Sequence, residues 1–137
     1  MDAAILKRLR GDAGVQAAAG VYNGKAAIDH QERKSDDESA FPAAIQTVVA
    51  APKRYNQDGA VGAQTWRMRW ECFSLDSDDG AVALGDAIVA ALEPAGVHDG
   101  VRFGAGLNAL GRSGGVQEVN NLRIFRRIYD MDISATL

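Results

Sequence analysis

The chain has 137 residues, of which 47% are apolar and 24% are charged, and this length and balance favour one folded domain over a largely disordered chain. Its 15 basic and 18 acidic residues give a formal net charge of −3, which argues against the basic surplus of a sequence-specific nucleic-acid-binding protein. The single cysteine excludes an internal disulfide, and no segment approaches the roughly 20 apolar residues that cross a membrane.

The first predicted element is a helix over residues 2–10. Ile5, Leu6 and Leu9 recur there at helical spacing, and basic residues gather toward the end of the segment, where they oppose the helix dipole. Gly11 is the expected stop. After an alanine-rich piece, the glycines at 20 and 24 bracket a brief apolar pair, which indicates a turn into a short strand.

Residues 29–39 contain no apolar side chain, and Phe41-Pro42 ends the stretch. A segment with nothing to bury cannot offset the entropy of ordering it. We therefore expect an exposed, mobile loop over residues 29–41.

Two strands follow. Residues 44–50 are apolar and rich in β-branched side chains, which predicts a buried strand, and a polar turn from Pro52 to Gly62 leads to its hairpin partner at 64–73. The partner alternates from Trp66 to Cys72, with apolar residues on one face and charged residues on the other: Trp66, Met68, Trp70 and Cys72 against Arg67, Arg69 and Glu71.

The acidic run Asp76–Asp79 predicts the start of a second helix, because it supplies capping oxygens and negative charge at the positive end of the helix dipole. Apolar residues from Val82 to Leu92 form its buried stripe, and Pro94 ends it.

A glycine-rich region comes next. Val97, Val101 and Phe103 indicate one strand, and residues 104–117 are predicted to form an exposed loop. The last strand is predicted over residues 122–133, with apolar and polar faces again separated: Tyr129, Met131 and Ile133 against Asp130, Asp132 and Ser134. Arg126-Arg127 interrupts its middle.

These elements predict a single α+β domain over residues 1–137, with a mainly antiparallel sheet packed against two helices and exposed loops near 29–41 and 104–117.

Two glycine motifs resemble catalytic or cofactor signatures but lack the required context. Gly111–Gly115 matches the turn that exposes a nucleophilic serine, yet both histidines, His30 and His98, precede Ser113, whereas that fold places the histidine after the serine. Gly104–Ala109 loosely matches a dinucleotide-binding fingerprint, but no helix can follow it to bind the pyrophosphate. We expect no enzymatic activity and no cofactor.

Metal and nucleic-acid sites are likewise not predicted. The two histidines and Cys72 lack the paired spacings of metal ligands. The tryptophans of the 64–73 strand lie on the opposite face from its arginines, so that rings and charges cannot grip one strand of bases together. Core packing explains the tryptophans better.

Three stretches of the chain carry a family resemblance: Ile5–Arg10 continuing to Gly20-Val21-Tyr22, Trp66–Ser74 followed by an acidic turn and Ala81–Leu92, and Arg126–Ile133. Together they resemble the tail terminator, or tail-completion, proteins of long-tailed bacteriophages and gene-transfer-agent-like particles.

The resemblance implies a structural virion protein without catalytic activity. Proteins of this family form a ring, commonly hexameric, in the neck region of the tail. The ring caps the head-proximal end of the tail tube, ends its polymerisation and presents a docking surface to the head-tail connector or stopper protein. It is assembled in the host cytoplasm, and DNA passes through it.

A ring reuses one contact around its symmetry axis, and the charged residues on polar strand faces are candidates for that contact: Arg67, Arg69, Arg127, Asp130 and Asp132. The alternative is that they are solvated surface charges.

Two other functions remain open at this point. One is another neck component, such as a head-completion or stopper ring, which only the binding partner distinguishes from a tail terminator. The other is a small cellular α+β binding module or enzyme, although the sequence offers no base, nucleophile and orienting group together.

Overall fold

A computed structural model describes residues 1–52 and 64–136. Its three α-helices are α1 (Asp2–Arg10), α2 (Ala13–Ala18) and α3 (Asp79–Leu92). Helices α1 and α3 confirm the two predicted helices, whereas α2 was not predicted. The Asp12 carboxylate starts α2 by accepting a hydrogen bond from the backbone N–H of Val15 at 3.0 Å, and the alanines that follow favour the helix.

The described residues form nine strands: β1 (Val21–Tyr22), β2 (Lys25–Ala26), β3 (Ile28–His30), β4 (Ala43–Ala50), β5 (Gln64–Leu75), β6 (Gly96–His98), β7 (Val101–Phe103), β8 (Leu107–Val119) and β9 (Leu122–Thr136). Strands β1 and β2 form a small hairpin of their own. The others form one sheet in the order β3-β4-β5-β9-β7-β6, with β8 also paired to β9. All described pairs are antiparallel except β3 with β4, so the predicted α+β class is confirmed.

The three helices cover one face of the sheet. Met68 and Trp70 of β5 and Met131 and Ile133 of β9 are fully buried on that face, as the strand alternation predicted. They pack against apolar side chains from every helix: Ile5, Leu9, Val15, Leu84, Ile88 and Leu92. This face contains the main core.

The prediction for residues 104–117 is wrong, because most of the segment belongs to strand β8. Its side chains are exposed, as predicted, but its backbone is paired with β9 from Leu107 to Val119. Two glycines of this segment leave room for neighbouring side chains. A Cβ at Gly114 would lie 2.5 Å from Nε of Arg126, and one at Gly106 would lie 2.7 Å from the sulfur of Met131.

The segment 29–41 is exposed over most of its length but is partly ordered by contacts. It begins in β3 and ends in a short 3₁₀ turn at Glu38–Ala40. The Arg33 guanidinium lies 5.1 Å from the ring centroids of both Phe41 and Phe73, and it donates a hydrogen bond to Asp36 at 2.7 Å. Arg33 therefore helps to order a segment that composition alone predicted to be mobile.

A second, smaller apolar cluster lies on the face of the sheet that the helices leave uncovered, at the end nearest the 29–41 segment; its buried members are Ala27, Phe41, Ala43, Phe73 and Ile124. The prediction that residues 44–50 are a buried strand holds only for the first half of β4, since Val48, Val49 and Ala50 are exposed. Most of the predicted Pro52–Gly62 turn lies outside the described residues.

Candidate assembly interface

The central part of the uncovered sheet face carries a ladder of charges across β5 and β9, which we call the Arg–Asp face; its members are Arg67, Arg69, Glu71, Arg126, Asp130 and Asp132. Register places Arg67 opposite Asp132 and Arg69 opposite Asp130. The Arg67 guanidinium donates to Asp132 at 2.9 Å. Arg69 donates twice to Asp130, from Nε at 2.8 Å and from Nη2 at 3.0 Å. The strand alternation thus produces two cross-strand ion pairs.

Hydrogen bonds dominate the electrostatics of these pairs. The hydrogen bond from Arg69 holds the pKa of the Asp130 carboxyl below its ordinary value, and the same bond raises the pKa of Arg69. The pKa of Asp132 is also lowered, first by a hydrogen bond from the Asn108 amide and then by one from Arg67. Both aspartates therefore favour the ionised form, despite partial burial that works against it.

Four of the five residues predicted as interface candidates are thus paired with one another inside the same chain. Their side chains are still partly exposed, from 15% for Asp130 to 31% for Arg69. A partner subunit would meet a preformed ladder of paired charges. Their role between subunits stays a prediction.

Arg127 does not belong to this group. It pairs in register with the fully buried Cys72, two residues from Tyr129, and so lies on the helix-covered face of the sheet. Its Nε is buried and has no hydrogen-bond partner among the described residues. Burial raises the pKa of the Tyr129 phenol, and the neighbouring Arg127 partly offsets that effect. The expectation that Arg127 lies on a polar strand face is wrong, because the alternation that buries Tyr129 also turns Arg127 inward.

Strand β8 adds features to the candidate interface that the sequence patterns did not predict. The Asn108 amide donates to Asp132 at 2.8 Å, and the Gly114 carbonyl accepts from Nε of Arg126 at 3.2 Å. Three of its apolar side chains are more than half exposed: Leu107, Leu110 and Val116. The apolar residues spaced among the glycines were the sign of a strand in this segment. The high glycine content instead led to the prediction of a loop.

The residues considered above as possible catalytic or metal-binding groups make separate contacts. Ser113 lies within β8, where its hydroxyl accepts a hydrogen bond from the Gly115 N–H at 3.4 Å. Nδ1 of His30 is 2.9 Å from an Asp2 carboxylate oxygen, while His98 packs edge-on against Phe103. Burial strongly raises the pKa of the Cys72 thiol, which keeps it protonated and unreactive. Within residues 1–52 and 64–136, no three potential metal ligands of the His, Cys, Asp or Glu type come together.

None of the helices described has the length and apolarity needed to cross a membrane.

No protein-family model matches the chain, and no curated protein matches it. Among solved structures, the chain is similar to one from the virion of a native gene transfer agent particle, with a TM-score of 0.54 and 16% sequence identity. The similarity covers 98% of this chain and 94% of the other. The three helices and the curled sheet thus form a fold that is also found in a chain of a gene transfer agent virion.

Proposed function

We propose that this chain is a structural protein of a phage-like or gene-transfer-agent-like virion, and that it acts as the tail terminator. The observation that carries the proposal is the end-to-end similarity of its fold to a chain of a gene transfer agent virion. The resemblance of Trp66–Ser74, Ala81–Leu92 and Arg126–Ile133 to the tail terminator family gives the finer assignment.

In this proposal, several copies form a ring, hexameric as in the family, on the head-proximal end of the tail tube. One face of the ring stops the addition of tube subunits, and the other receives the head-tail connector or stopper protein. No chemical step is involved, so the residues act by shape, apolar contact and charge. The Arg–Asp face is held rigid by its own ion pairs, and this rigidity suits a surface that must be repeated identically around a ring.

The proposal is tested by adding the purified chain to polymerising tail tube protein and imaging the products by electron microscopy. We expect tubes of limited length with a ring of density at one end. Tubes of unchanged length with bare ends would sink the proposal. The inactive control is the double variant Ile5→Asp, Leu6→Glu, which introduces charge at a fully buried and a partly buried position of α1 and is expected to unfold the chain.

The competing assignment to another neck ring predicts a different result in the same experiment. A head-completion or stopper ring would leave tube length unchanged and would bind the connector instead. Pull-down of the chain with tube protein and, separately, with connector protein distinguishes the two assignments.

A further inference from the structure

Strand β8 is a long free edge of the sheet. One side of its 13 residues is paired with β9, and among the described residues no strand pairs with the other side. Free edges are usually protected by lysine, proline or bulges. Strand β8 contains neither lysine nor proline, and it has two register shifts against β9, between Leu107 and Leu110 and between Ser113 and Gly115. Its backbone is therefore protected only by these two shifts and by the charged side chains of Arg112 and Glu118, which lie outside residues 107–110.

The opposite edge of the sheet has a free part as well. Strand β3 pairs with β4 only at Ala44–Gln46, so within the described residues Thr47–Ala50 have no neighbour on that side. Val48 and Val49 in this part are 39% and 47% exposed, although they are β-branched apolar residues. An apolar strand end at a sheet edge favours further pairing.

The two free parts lie at the same height in the sheet. Register connects Thr47 through Arg69 and Asp130 to Leu110, and it connects Ala50 through Arg67 and Asp132 to Leu107. Leu107 and Leu110 are 58% and 65% exposed. Leu110 and Leu107 on one edge thus stand level with Thr47 and Ala50 on the other.

Strand directions also match. The pairs β4–β5, β5–β9 and β9–β8 are all antiparallel, so β4 and β8 run in opposite directions. A rotation about an axis parallel to the strands preserves strand direction. It would bring β4 of the next copy beside β8 in the antiparallel sense, and the same contact would repeat at every step until the ring closes.

We infer that residues 107–110 of one copy pair edge to edge with residues 47–50 of the next, so that the sheets of neighbouring subunits join around the ring. This inference rests on the proposed ring but not on which part of the virion the ring occupies. The occupant of the edge is a second copy of this chain, because both halves of the contact are present on each copy.

The first test compares Leu110→Lys with Val116→Lys. Both residues are exposed and apolar, and both lie on β8, but only Leu110 is level with the free part of β4. We expect Leu110→Lys to weaken ring formation at least about tenfold, because a lysine on a free sheet edge opposes pairing with another strand. We expect Val116→Lys to assemble as the wild type does. Native mass spectrometry and electron microscopy, with tube protein present, measure ring formation; circular dichroism checks the fold. Equal effects of the two variants would contradict the inference.

A second test separates this inference from the proposed function. Leu110→Cys is combined with Thr47→Cys, Val48→Cys or Val49→Cys, and each double variant is oxidised under assembly conditions. The buried Cys72 thiol does not interfere. At least one combination should give a ladder of covalent oligomers, whereas Val116→Cys with Val49→Cys should not. Rings that form without any such ladder would overturn the edge pairing and leave the ring intact; a wild-type chain that forms no ring, even with tube protein, would overturn both.

Discussion

The two arginine–aspartate pairs differ from ordinary surface ion pairs in geometry and burial. Arg69 binds both oxygens of Asp130, and the two side chains are only 31% and 15% exposed. Lys7 and Asp99 come as close, at 2.7 Å, but both are more than two thirds exposed. Exposed pairs contribute little because water and salt screen them, whereas a bidentate, half-buried pair is screened less.

We therefore expect Arg69→Met to lower the free energy of unfolding by about 1–2 kcal/mol, because it leaves the Asp130 carboxylate without its main donor. Lys7→Met is the matched control, and its effect should be within about 0.5 kcal/mol of zero. Urea denaturation followed by tryptophan fluorescence measures both. A similar loss in the two variants would mean that the bidentate geometry adds nothing.

The lowered pKa values of Asp130 and Asp132 predict an acid-sensitive stability. Each group has a lower pKa in the folded state than in the unfolded chain, where an aspartate titrates near about 3.9, so the unfolded chain binds more protons as the pH falls. The stabilisation is complete above the unfolded pKa and is lost as the pH falls through the folded pKa.

Urea denaturation of the wild type between about pH 6 and pH 2.5 should therefore show a steeper loss of stability below about pH 4 than the Asp130→Asn, Asp132→Asn variant shows. The variant is less stable at neutral pH, so the two curves converge in acid. Parallel curves over the whole range would indicate that other carboxylates determine the acid response.

Helix α3 packs so closely on β9 that it requires glycine at one position. A Cβ at Gly85 would overlap ring atoms of Tyr129, whose strand is held by β5 on one side and β8 on the other. Tyr129 also donates a hydrogen bond to the Val82 carbonyl of α3 at 3.3 Å. The ring therefore has little freedom to move away.

We predict that Gly85→Ala lowers the unfolding free energy by about 1–3 kcal/mol through overpacking, although alanine is the better helix former by about 1 kcal/mol. Gly11→Ala is the control, since a Cβ there would lie 3.5 Å from the Lys7 carbonyl oxygen and 3.8 Å from that of Arg8, and the backbone of Gly11 is not left-handed. Thermal unfolding should show a lower midpoint for Gly85→Ala alone. An unchanged midpoint would mean that α3 can shift on the sheet.

The sequence predicted those elements that bury a regular stripe of apolar side chains. Strand β5 and helix α3 each pack a full apolar stripe against the core, and their periodicity identified them. Helix α2 buries only Val15, so it has no stripe to recognise. Strand β8 buries none of its side chains fully, and its pairing with β9 depends on backbone contacts that side-chain patterns do not record.

The candidate interface was predictable in part for the same reason. Alternation in β5 and β9 placed Arg67, Arg69, Asp130 and Asp132 on one face, but it did not show that register would pair them within the chain. Register depends on contacts between distant segments, which a single strand's pattern does not contain. The position of the exposed apolar residues of β8 likewise depends on the register of β8 with β9.

Taken together, the charges of the Arg–Asp face and of adjacent β8 nearly cancel. The basic residues are four arginines, Arg67, Arg69, Arg126 and, on β8, Arg112, and the acidic residues are Glu71, Asp130 and Asp132. Each aspartate forms a close ion pair with one of the arginines. A nearly neutral surface binds few phosphates, so it releases few counterions and has little affinity for DNA. Such a surface would suit the proposed ring, through which DNA would pass.

Removing the two aspartate charges should create DNA affinity. We expect the wild type to bind duplex DNA too weakly to detect by fluorescence anisotropy at about 0.15 M salt, and Asp130→Asn, Asp132→Asn to bind without sequence preference. The slope of log K against log salt should be about −0.9 for each phosphate contacted. The control variant Asp78→Asn, Asp79→Asn removes the same number of charges at exposed positions elsewhere. It should bind DNA less tightly than the Asp130→Asn, Asp132→Asn variant. Equal binding by the two double variants would show that net charge matters and that the pairing on the Arg–Asp face does not.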